Sequence, residues 1–178
     1  MALALLTATA AAAAGFGLAG YYGFVLAAHG MHDPHIRELV SRHVLAAIPA
    51  MLLSLFSQSM VIFYFIGTGR LVKDEIAGYS PERRDAILRA LRRFKARTSP
   101  AATFAMLSAI FVFVVGGWTH TTPRAVSSVP HWTHLGAAAL AFALHLWALR
   151  VEIPAFAENH RLMADPSGYA AAARPAAP

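Results

Sequence analysis

An all-α membrane protein is the fold class this sequence predicts: four spanning helices in an up-down bundle, with a basic amphipathic helix on the cytoplasmic side. Three observations predict it. Of 178 residues, 57% are hydrophobic and 13% charged, where a soluble domain carries roughly 25% charged residues. Four separate apolar stretches each have at least the ~17 residues that a membrane-crossing helix needs. Positive charge is gathered between the second and third of them.

The first stretch, residues 2–28, contains no charged side chain. It also has the small residues of a secretory leader, but no Lys or Arg precedes it and it exceeds the usual leader core, so a retained span is expected. Span two runs from Val44 to Thr68, with Pro49 bending its outer third. Span three runs from Ala101 to Trp118 after Pro100, and span four from about His131 to Arg150. The four-helix domain covers residues 1–162. Residues 163–178, rich in Ala and Pro, are expected to be disordered because they bring too little apolar surface to bury.

Nine of the 15 Lys and Arg lie between Arg70 and Arg97, against three in the other two connections. Short loops rich in Lys and Arg stay inside. The middle connection and both termini are therefore expected in the cytoplasm, the bacterial inner membrane being the expected location. In the middle connection, Ser80-Pro81-Glu82 opens a helix over about 81–96, with Ser80 as cap and Pro81 at the first helical position. Ile87, Leu91 and Phe94 form its apolar stripe among arginines, the pattern of a helix lying on the membrane surface. Arg70, Lys73, Arg92 and Arg93 are the candidate contacts to anionic headgroups, and Arg70, Lys73, Arg150 and Glu152 form a candidate quinone or lipid-headgroup site. Net charge is +6, yet its cations sit beside spans. Anionic lipid is the expected partner, together with other subunits of a membrane complex, and not nucleic acid.

Without a hydrophobic drive between helices in lipid, close packing through small residues matters most. Ala11, Gly15, Ala19 and Gly23 form such a stripe on span one, and Gly136, Ala137, Ala141 and Ala148 a shorter one on span four. Tyr21, Tyr22, Trp118 and Trp132 are placed as an outer aromatic belt.

Cysteine is absent, which removes disulfides, thiolate metal sites, iron–sulfur clusters and cysteine nucleophiles. No GxSxG, HExxH or SxxK motif occurs, and Phe65–Lys73 lacks the form of a phosphate-binding loop. The chemistry rests with nine histidines. His29 closes span one, His43 opens span two, His120 closes span three, and His131 and His134 open span four, so an antiparallel bundle carries an imidazole on every helix at one depth.

Two cofactor readings follow. In the first, His43 and His134 ligate a b-type haem axially for electron transport, with His29 and His120 a second pair or proton-transfer groups. In the second, His32 and His35 join His131 to bind zinc or copper at the outer surface. A third possibility is no cofactor, the imidazoles being hydrogen-bonded interfacial residues of an accessory or assembly subunit. His145 stands apart: it lies ~16 Å deeper than His134 on the same face, near the midplane, where an ionisable group marks a functional candidate. Gln58 is its expected partner, with Ser54, Ser57, Ser59 and Ser108 nearby.

Overall fold

The computed structural model describes residues 1–29, 35–121 and 132–172; the side chains of His29, His120 and Thr121 also lie outside the described set. Every element is helical: α1 (Ala2–His29), α2 (Ile36–Glu75), a 3₁₀ turn at Ile76–Gly78, α3 (Pro81–Thr121), α4 (Trp132–Ala164) and the short α5 (Pro166–Ala172). Helices α1 to α4 are each long and apolar enough to cross a membrane. They form a four-helix bundle of an integral membrane protein.

Helix α1 packs on α2 and α4, and α3 packs on the same two, so α2 and α4 face each other across the bundle axis. The small-residue stripe of α1 explains one of these seams. A Cβ added to Gly15 would lie 2.7 Å from the Ala50 Cβ of α2, so only glycine permits that approach. The stripe fails at its far end, where Ala11 is exposed and Ala12 is buried. Steps of four residues drift about 40° per step on a helix of 3.6 residues per turn; over three steps the stripe leaves the interface.

At the end of the bundle holding the α2–α3 turn, Phe65, Val72, Ile76, Ile87, Phe94, Phe156 and Leu162 make the main core. Phe65 and Phe156 stack 5.2 Å apart, with Tyr64 4.9 Å from Phe156. Towards the other end the core narrows to Phe16, Ala50, Ala109, Val112, Ala137 and Ala141. Large apolar side chains such as Leu45, Phe56, Phe63, Phe111 and Leu140 point outward, as hydrocarbon surroundings allow and water would penalise.

Three boundaries differ from expectation. Residues 81–96 are the first half of α3, which runs through Pro100 without a break. Their stripe does not lie on a membrane surface: Ile87, Leu91 and Phe94 are buried against the main core. Helix α4 continues 14 residues past Arg150, to Ala164. Of the expected tail, Pro166–Ala172 form α5, with Ala170 in the core, and residues 173–178 lie outside the described residues. Asp165 explains the ordering, since its carboxylate accepts the Gly168 N–H and the Ser167 hydroxyl, each at 2.8 Å, with Pro166 at the first helical position.

Candidate functional site: an axial seam of polar side chains

His43, the eighth residue of α2, reaches over the bundle axis to His134, in the first turn of α4. Their ring centroids are 5.9 Å apart and their planes nearly perpendicular, at 87°. The His43 Nδ1 lies 2.9 Å from the Ala19 carbonyl oxygen of α1. An Nδ1–H donated there leaves Nε2 as the basic nitrogen, the way a ligating histidine is held.

Both rings lie against glycine. A Cβ on Gly23 would approach the His43 Cε1 to 3.3 Å, and one on Gly116 the His134 Cε1 to 2.6 Å. Gly17, Gly20, Gly117 and Gly136 occur at the same end of their helices, and added Cβ atoms at Gly20, Gly117 and Gly136 would meet nothing within 4 Å.

His145 is fully buried, and both its nitrogens are engaged within the protein. Nδ1 lies 2.7 Å from the Ala141 carbonyl and Nε2 lies 2.6 Å from the Ser54 hydroxyl; the Phe16 ring covers it at 4.5 Å. A carbonyl only accepts, so Nδ1–H donates to Ala141, and in the neutral ring Nε2 accepts from the Ser54 hydroxyl. With both nitrogens engaged, the ring is not placed as a cofactor ligand. Gln58, the expected partner, sits one turn further along α2 and faces Glu152 instead.

Asn159, and the burial of Glu152 inside the bundle, are what sequence reasoning missed. Both are fully buried, as His145 is. The three recur at intervals of seven, beside Ala148, Ala155 and Leu162, and that period was the available signal. Asn159 donates to the Tyr64 and Thr68 hydroxyls of α2, both at 3.2 Å. The Gln58 amide and both Glu152 carboxylate oxygens have no hydrogen-bond partner among the described residues, nor has the Asn159 carbonyl oxygen.

Of the remaining candidates, His32 and His131 lie outside the described residues, as do the side chains of His29 and His120. His35 caps α2 and is 76% exposed, its Nδ1 4.0 Å from Glu38. Among the described residues no three His, Asp or Glu gather as a metal set. Arg70, Lys73, Arg92 and Arg93 are exposed, and Arg93 lies 4.0 Å from Glu158. The four-residue headgroup site does not assemble: Glu152 is inside the bundle, whereas Arg150 lines a surface crevice of about 540 Å³ with Arg97, Trp147 and Pro154. No family model, curated protein or solved structure matches the chain.

Proposed function

We propose that this is an electron-transfer subunit of a membrane complex that holds one b-type haem between His43 and His134. The observation that carries the proposal is the meeting of these two rings across the bundle axis, their centroids 5.9 Å apart, each against a glycine. Haem iron held by two imidazoles supplies one-electron transfer. The chain's own part is to present two nitrogens from α2 and α4, to fix the His43 ring through the Ala19 carbonyl, and to keep side chains off the flanking walls at Gly23 and Gly116. Two ligands suffice for haem, whereas a zinc or copper site needs more than the described residues assemble.

The orientation belongs to the same proposal. Gly15 meets Ala50 and His43 meets Ala19, contacts that run in opposite directions along α1 and α2 and so support an up-down bundle. Basic residues 70–97 support a cytoplasmic α2–α3 turn with cytoplasmic termini, and Arg70, Lys73, Arg92 and Arg93 then face anionic headgroups. The His43–His134 layer lies under the outer surface.

Absorbance of the purified protein in detergent, oxidised and then reduced with dithionite, tests the cofactor. A b-type spectrum lost in His43→Ala and in His134→Ala, and kept in His145→Ala, is the expected result. Colourless protein containing zinc or copper replaces haem with the metal reading. Colourless, metal-free protein that copurifies with other subunits replaces it with the accessory role.

A further inference from the structure

The uncharged runs of α3 and α4 end at one depth. Residues 98–119 and 132–149 contain no Lys, Arg, Asp or Glu, and at 1.5 Å per residue they rise ~33 Å and ~27 Å. Both match a hydrocarbon core of ~30 Å. Arg97 and Arg150 are the first Lys or Arg beyond them, so two guanidinium groups on adjacent helices stand at the same membrane boundary. They meet in the surface crevice of about 540 Å³, where Ala96 and Pro100 of α3 face Trp147 and Pro154 of α4. Neither arginine has an ion-pair partner among the described residues, and no acidic side chain lines the crevice.

The crevice also carries acceptors. Pro100 and Pro154 lie inside their helices, and a proline has no N–H for the carbonyl four residues earlier. Those carbonyls belong to Ala96 and Arg150, and both residues line the crevice. In a membrane, backbone groups freed by proline are met by donors from outside the helix. Each helix therefore brings to one place a guanidinium donor and a carbonyl deprived of its usual partner. On the side towards the middle of the membrane, the Trp147 ring lies 6.4 Å from Phe104 of α3. Both rings are exposed and give an apolar wall.

We infer that this crevice binds one anionic phospholipid whose headgroup carries hydroxyls, of the phosphatidylglycerol class. The phosphodiester accepts from Arg97 and Arg150, a pairing that suits the planar, forked guanidinium. The headgroup hydroxyls donate to the Ala96 and Arg150 carbonyls, and an acyl chain runs over Trp147 and Phe104. The volume falls within the roughly 300–1,000 Å³ of small-ligand sites. An ammonium headgroup would add a third cation, which disfavours phosphatidylcholine and phosphatidylethanolamine. Basic pockets between spanning helices hold anionic headgroups by the same chemistry. The site rests on neither the haem nor the orientation, since it needs only a membrane boundary at this depth.

Native mass spectrometry of the full chain, released from detergent micelles and titrated with defined lipids, tests the site. One phosphatidylglycerol should bind roughly tenfold more tightly than phosphatidylcholine, a factor that corresponds to ~1.4 kcal/mol. Arg97→Gln and Arg150→Gln should each remove that preference. Arg89→Gln, an equal loss of charge ~12 Å along α3 from Arg97, should keep it. Phosphatidylmethanol has the same phosphodiester charge and no hydroxyl; it should bind less tightly than phosphatidylglycerol, and the gap should close when Pro100→Ala and Pro154→Ala are combined. Equal binding of phosphatidylglycerol and phosphatidylcholine overturns the inference, as does phosphatidylmethanol binding as tightly as phosphatidylglycerol. A loss in Arg89→Gln as large as in the crevice variants also overturns it, making the preference a property of the basic surface. Displacement of the lipid by inorganic phosphate replaces it with a soluble-anion site, and a lipid-free dimer that Arg97→Gln separates replaces it with contact to a second copy. Should Arg150→Gln not fold, Arg97→Gln carries the comparison.

Discussion

Gly116→Ala is the substitution whose effect can be worked furthest from the coordinates. The new methyl carbon would stand 2.6 Å from His134 Cε1, 3.1 Å from Nδ1 and 3.4 Å from Nε2. Carbon atoms in contact rest at about 3.5–4.0 Å, so the overlap is roughly 1 Å and is shared by the edge of the ring. Either His134 leaves its rotamer or α3 backs away, and overpacking of this kind costs about 1–3 kcal/mol. Replacing glycine within a helix returns up to ~1 kcal/mol, so the net effect is a loss of up to ~2 kcal/mol. Gly117→Ala, one residue along the same helix, has the same helical gain, and its Cβ would meet nothing within 4 Å. Reversible unfolding in mixed micelles should therefore rank Gly117→Ala at or above wild type and Gly116→Ala below it. On the proposed haem reading, the purified Gly116→Ala protein should also hold less haem than wild type. Equal stabilities for the two variants would refute the argument that His134 is seated on α3, because the helical gain is common to both.

The same logic on α1 makes Gly15→Ala destabilising by about 1–3 kcal/mol, since its Cβ meets Ala50 at 2.7 Å, while Gly20→Ala is tolerated; the unfolding assay that compares Gly116 with Gly117 compares these. Ser54→Ala removes the donor to a buried imidazole nitrogen and should cost about 1–3 kcal/mol. Ser57→Ala, whose hydroxyl bonds only the Ser54 carbonyl of its own helix, should cost less in the same measurement. At α5, the Gly168 N–H and then the Ser167 hydroxyl hold the Asp165 carboxyl below its ordinary pKa. A depressed carboxyl stabilises the fold above its unfolded pKa and loses that contribution as pH falls through the folded one. Amide exchange across 166–172, corrected for intrinsic rates, should therefore lose protection in the acid range, and Asp165→Ala should show the low protection at every pH.

The spans and the His43–His134 contact were legible because each rests on a local property: a charge-free run of sufficient length, or an imidazole at a helix end. The pairing of His43 with His134 followed from those ends meeting at one depth. What sequence did not carry was the axial register of α2 against α4. Ser54 and Gln58 are one turn apart on one face, so either satisfied the pattern for a partner of His145, and only the packed bundle selects Ser54. Glu152 escaped because Arg150 looked like the end of span four, although the period of seven continued through Asn159. The stripe Ile87, Leu91 and Phe94 was correctly amphipathic, but the pattern is the same whether lipid or protein covers it; Phe65 and Phe156 cover it here. The Asp165-Pro166 cap carries the signal that was read at Ser80-Pro81. Composition drew attention to the poverty of the tail and away from its cap.

The division of residues among the helices bears on why the seam exists. In lipid, apolar contact does little to favour one helix pairing over another. Helix α1 solves this with glycine and alanine against α2, and α3 with alanines against α4. Those adjacent pairs hold the bundle without the seam, whose residues all project from α2 and α4 towards the axis. Leaving buried polar atoms unmet costs about 1–3 kcal/mol each by the soluble-protein measure, and Gln58, Glu152 and Asn159 together expose five such atoms to that cost. An apolar axis of the same volume would avoid it and would still be gripped by the small-residue contacts. The polar seam therefore lowers stability relative to a bundle this chain already knows how to build.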